Sequence, residues 1–160
     1  MKLTTEQVIK MLKEPAGHEF IGKEKEFEEH IILHLDIILD CLGLPSAKIV
    51  DRQKRIDFDD FSIQPDIIIR HTDDSITVLE VKCCNHKHPA TATTHQTNAI
   101  GQALLYKTAL ETYTGQDIRV IIVDQKIHYR SYVAFRKYCL PITLVEFQND
   151  RVFIPYKNFG

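Results

Sequence analysis

The sequence predicts an α/β domain in which helices flank a mixed sheet. Two observations carry that expectation. Apolar residues three and four positions apart mark helical segments near the start of the chain and again in its second half. Between them lie short Ile- and Val-rich runs of strand length, "DIIIR", "ITVLEVK" and "IRVIIVD", bounded by turn-forming residues. The order α, three strands, α, β, α, β suits a sheet covered on both faces. With 160 residues, 44% hydrophobic and 26% charged, the chain is sized for one domain, 1–160, with a substantial core.

Taken in order, residues 4–13 read as a short amphipathic helix, capped by Thr4 or Thr5 and ended before Pro15. After a break at Gly17 to Gly22, Lys23 to Leu42 reads as one long helix, stopped by "GLP". "AKIVDRQKRIDF" and "QPDIIIR" read as strands, and "HTDDS" as the turn that leads into the strand "ITVLEVK". The segment "CCNHKHPATATTHQTN" is polar and reads as an irregular loop, long enough to carry function. "AIGQALLYKTALETY" returns to helical spacing; then come the strand "IRVIIVD", the helix "YRSYVAFRKYC" and the strands "PITLVEF" and "RVFIPY".

Composition excludes several classes. No apolar run approaches a membrane span and the first residues lack a signal-peptide core, so the expected location is cytoplasmic, with no membrane partner. Four cysteines, two of them adjacent, do not form a disulfide framework. The net charge of −2 rules out a generally basic nucleic-acid binder; an anionic partner has to meet a local patch or a metal ion.

One stretch raises a chemical question. In "VLEVK", strand alternation puts Glu80 and Lys82 on the same face, at the end of a strand that is apolar on both sides. Buried charges there need partners or a metal. The preceding strand begins with Asp66, and an antiparallel hairpin sets the start of the first strand beside the end of the second. Asp66 therefore arrives next to Glu80 and Lys82. Two carboxylates and an ammonium at one sheet end make a hard-oxygen site suited to Mg²⁺ or Mn²⁺, and a divalent cation relieves the repulsion between the carboxylates.

"PD", a hairpin and then "EVK" resemble the PD-(D/E)XK nuclease superfamily, whose restriction-endonuclease-like fold has an αβββαβ core. The acid-bearing helix "GKEKEFEEHI" is similar to that of Holliday-junction resolvases, and "GQALLYK" resembles the Gln-x-x-x-Tyr element of RecB-like exonucleases. The likeness spans roughly residues 22–124. It implies a metal-dependent nuclease acting on nucleic acid, DNA above all, by a metal-activated water. Asp66, Glu80 and the backbone carbonyl of Val81 would hold the metal. Lys82 would position or help deprotonate the attacking water and offset charge in the transition state. Gln102 would contact the water or a phosphate, and Tyr106 would touch substrate or brace the site. Lys87 and His88 would lie over the substrate phosphates. Homodimerisation, frequent in the superfamily, would bring two sites to two strands.

The helix supplies a further acid. Phe27, Ile31, Leu35 and Ile38 define an apolar arc at about 100° per residue. Glu24 falls near its centre, in the first turn, where an acid can leave the core and reach a metal. The spacing Glu24-x-x-Phe27 resembles the resolvase pattern. Glu28 also lies in the arc and is the second candidate, paired with Lys82 or a basic neighbour, whereas Glu26 and Glu29 project away. Two other readings stay open: a nucleic-acid-binding domain that keeps the fold without turnover, and a zinc-stabilised interaction module. For the latter, Cys83, Cys84, His86 and His88 crowd one segment, without the two spaced ligand pairs usual in structural zinc sites.

Overall fold

The computed structural model describes residues 24–83 and 89–160; the helix expected over 4–13 lies outside them. The elements are α1 (Glu24–Leu33), α2 (Leu35–Leu42), β1 (Ala47–Arg52), β2 (Ile56–Asp57), β3 (Ser62–Ile63), β4 (Ile67–His71), β5 (Ile76–Val81), α3 (Pro89–Thr114), β6 (Ile118–Asp124), α4 (Tyr129–Tyr138), β7 (Thr143–Gln148) and β8 (Arg151–Tyr156). Six strands form one sheet in the order β1-β4-β5-β6-β7-β8, and β2 with β3 makes a separate ribbon. β1, β4 and β5 are antiparallel neighbours, β5, β6 and β7 run parallel, and β8 returns antiparallel. This is the expected mixed sheet, with the αβββαβ order intact.

Each face of the sheet has its own core. Phe27, Ile31, Ile38 and Leu42 of α1 and α2 pack on Ile67, Leu79, Val81 and Val123. On the opposite face, Ala103, Leu110 and Phe135 of α3 and α4 cover Val78, Val120, Ile122 and Leu144. Burial on both sides explains why Val120 to Val123 form a continuous apolar run rather than an alternating one.

Three boundaries differ from expectation. The long helix is broken at His34, whose backbone (φ −112°, ψ 17°) leaves the helical region. Its N–H reaches Ile31 O (3.1 Å) instead of the carbonyl four residues back, and its own Nδ1 donates to that carbonyl, His30 O (2.9 Å). The helix then ends at Gly43 in the left-handed region (φ 68°), as the sequence indicates.

The single strand expected from Ala47 to Phe58 is two. Gln53 adopts φ 48°, donates its N–H to Asp66 O (2.9 Å), and turns the chain out of the sheet before β2. The segment expected as an irregular loop is helical from Pro89 onward. Proline fits a first turn, where its missing N–H is not required. Ala92, Gln96 and Ala99 are the buried face of this extension, and the inward Gln96 disguised the helical period.

Candidate active site

The β4–β5 register pairs Ile67 with Leu79, which carries Asp66 to the level of Glu80 on the face covered by α3. Asp66 is held from two sides: its Oδ2 accepts the Val81 N–H (2.7 Å) and its Oδ1 accepts Gln53 Nε2 (2.9 Å). Glu80 is buried and pairs with Lys82 through Oε1 and Nζ at 2.9 Å. Lys82 is anchored by its N–H to Val123 O (2.9 Å), where β5 and β6 run parallel. Glu24, exposed at the start of α1, accepts the Cys83 N–H at 3.3 Å and so leans over the end of β5. The structure thus brings Asp66, Glu80, Val81, Lys82 and Glu24 to one sheet end.

Electrostatics follow from this crowding. Burial, and next the Asp66 carboxylate, push the Glu80 carboxyl up to about 7; Lys82 opposes the shift and Glu24 adds to it. Burial works against the Lys82 ammonium, but Glu80, Glu24 and Asp66 outweigh it and hold Lys82 above its ordinary value. Tyr106 is buried on α3, and burial together with Glu80 and Asp66 pushes its hydroxyl up to about 12. Its phenol therefore stays protonated beside the carboxylates. Gln102, one turn earlier, is exposed and lines an open groove of ≈ 670 Å³ with Lys82, His95, Asn98 and Leu105.

Glu28 and Glu24 have different surroundings. Glu28 is buried and accepts Arg52 Nε (2.9 Å) and Gln53 Nε2 (3.0 Å). Gln53 therefore bridges Glu28 and Asp66. The sequence leaves the partner of Glu28 open between Lys82 and a basic neighbour; the structure gives Arg52, and the Gln53 bridge is not foreseen. Cys83 is engaged by Gln125 Nε2, 3.0 Å from its sulfur. Cys84, His86, Lys87 and His88 lie outside the described residues.

The mixed six-stranded sheet with helices on both faces is similar to the fold of two solved structures. A repair endonuclease from Pyrococcus abyssi matches with a TM-score of 0.51 and 17% identity, over 82% of this chain and 50% of that one. EndoMS in complex with double-stranded DNA matches with a TM-score of 0.52 and 21% identity, over 81% and 47%. The chain spans about half the length of these structures. No family model matches the sequence, and no curated protein does. Among the described residues, no helix is long and apolar enough to cross a membrane.

Proposed function

We propose that this chain is a divalent-metal-dependent nuclease of the PD-(D/E)XK type that hydrolyses phosphodiester bonds in DNA. The observation that carries this reading is the convergence of Asp66, Glu80 and Lys82 at one sheet end, with the buried Glu80 carboxyl pushed up to about 7. Such a donor set fits a hard cation, Mg²⁺ or Mn²⁺. Its carboxylates, Asp66 and Glu80, are oxygen donors whose mutual repulsion a positive ion would relieve. Asp66, Glu80, the Val81 carbonyl and Glu24 would hold it. When bound, the cation would polarise the phosphoryl group and favour ionisation of the attacking water.

The chain's own groups have distinct roles in this reading. Lys82, held above its ordinary value, stays an ammonium and offsets developing charge on the phosphate rather than taking a proton from water. Gln53 and the Val81 N–H fix the orientation of Asp66. Tyr106 stays protonated and offers a hydrogen bond toward the carboxylates or the substrate. The groove along α3 would receive the backbone, with Gln102 and Lys82 on its wall. The repair-endonuclease likeness and the DNA-bound neighbour support DNA as substrate and internal cleavage as the mode.

The test is a panel of labelled single-stranded, duplex and branched DNA and of RNA, with Mg²⁺, Mn²⁺ or Ca²⁺. Cleavage is expected with Mg²⁺ or Mn²⁺ and binding without appreciable turnover with Ca²⁺. Asp66→Asn, Glu80→Gln and Lys82→Ala should each reduce the rate by orders of magnitude with the fold retained, since they act as a unit. Robust cleavage by Glu80→Gln, or cleavage without metal, sinks the assignment. Tight DNA binding with no turnover under any condition would favour the non-catalytic binding domain.

A further inference from the structure

A second ligand cluster lies on the same helix pair, away from the carboxylates. His30 lies in the last turn of α1 and His34 at the break that follows it, with their ring centroids 4.5 Å apart. Asp150 reaches them from the β7–β8 turn, where Asn149 (φ 46°) and Asp150 (φ 60°) both adopt the left-handed conformation of a tight hairpin. Asp150 Oδ1 stands 3.2 Å from His30 Nε2 and 3.3 Å from His34 Nε2. One ligand atom from each residue lies within 4.8 Å of the other two. The buried Phe147 ring backs both imidazoles, at 5.3 and 5.5 Å between centroids.

We propose that His30, His34 and Asp150 form a binding site for a transition-metal ion of the Zn²⁺ class, which ties α1 and α2 to the β7–β8 hairpin. The hydrogen bonding at the helix break supports this. A carbonyl oxygen only accepts, so the His34 Nδ1 that meets His30 O carries the proton. In the neutral ring, Nε2 then presents its lone pair, and it presents it to a carboxylate oxygen. That contact is repulsive unless a cation stands between the two groups or the ring takes a second proton. A ligating histidine whose other nitrogen donates to a backbone carbonyl is the usual arrangement around protein-bound metals. The spacing also fits: ligands about 2.0–2.1 Å from a tetrahedral zinc stand roughly 3.3 Å from one another. Two imidazoles and a carboxylate select zinc and its neighbours over magnesium and calcium, so this site does not compete for the ion proposed at Glu80. With both histidines part-exposed and Asp150 on the surface, solvent can supply a fourth ligand.

The test is titration with Co²⁺, a coloured substitute for Zn²⁺, in the wild type and in the Asp66→Asn, Glu80→Gln double variant, which lacks two of the three carboxylates proposed for the nuclease metal. Both proteins should bind one Co²⁺ with the visible absorption of a four-coordinate site, lost on adding one equivalent of Zn²⁺. Asp150→Asn, on an exposed turn, should weaken binding by roughly tenfold or more, and His30→Gln or His34→Gln should remove it. Replacing Cys83 and Cys84 with serine should change nothing. The proposal is overturned if Co²⁺ gives no such absorption, or if His30→Gln, His34→Gln and Asp150→Asn, each folded by circular dichroism, bind Zn²⁺ as the wild type does. It is equally overturned if the cysteine variant loses the ion.

Discussion

At the scale of single residues, Glu80 sets the pH behaviour of the site. Its carboxyl rises from 4.5 to about 7 on folding, so the folded chain prefers the protonated form. A raised value gives stability that is fully present below about 4.5 and is lost as pH rises through about 7. The metal-free wild type should therefore lose Tm relative to Glu80→Gln across that window, and Mg²⁺ should narrow the gap at the upper end. A constant difference between the two proteins from pH 4.5 to 7 would contradict this account of Glu80. The helix acids separate by a different measurement. Glu24→Ala should cut metal-supported cleavage sharply with little change in Tm. Glu28→Ala removes the acceptor of Arg52 and Gln53 and should cost about 1–3 kcal/mol of stability, with a smaller loss of activity. Equal activity of Glu24→Ala and wild type across a Mg²⁺ titration would remove Glu24 from the site. The Asp66, Glu80 and Lys82 cluster was legible in the sequence because a short turn fixes which strand ends meet. The Gln53 bridge was not, because it depends on a left-handed backbone at a residue type that gives no notice of one.

At the scale of elements, one buried side chain seats the first turns of α3 against the sheet. Gln96 is buried; its Nε2 donates to Asp124 Oδ2 (2.9 Å) and Lys126 O (2.8 Å), and its Oε1 accepts the His128 N–H (2.9 Å). One amide thus joins α3 to the end of β6 and the start of α4. Gln96→Ala should lower stability by about 1–3 kcal/mol, measured by urea unfolding, and protect the amides of residues 92–98 less from hydrogen exchange. Unchanged exchange there would mean that apolar contacts alone seat the helix. Sequence periodicity found the later part of α3, where Ala99, Ala103, Tyr106 and Leu110 repeat on one face. It missed the start because an inward glutamine looks like a surface residue until its three partners, thirty positions away, are known. The i, i+4 spacing of His30 and His34 was visible in the sequence, but their third neighbour comes from a hairpin at the far end of the chain.

At the scale of the whole molecule, hydrophobic pattern was enough to give the mixed sheet, because strands buried on both faces and helices buried on one leave different marks. The hairpin that joins β4 and β5 has its acids at one end and the turn Thr72–Ser75 at the other, about five residues or roughly 16 Å away along the strand. That turn is stiff: Asp73 accepts from the Ser75 N–H and hydroxyl, and the Thr72 N–H is bonded to Ser46 O. It is therefore a natural anchorage for a reporter. With Cys41, Cys83, Cys84 and Cys139 replaced by serine, a dye on Thr72→Cys should leave the proposed DNA cleavage within about twofold of the unlabelled protein. Rigid coupling to the sheet, with the cleft clear, would then let single molecules be watched as they meet and leave a DNA strand.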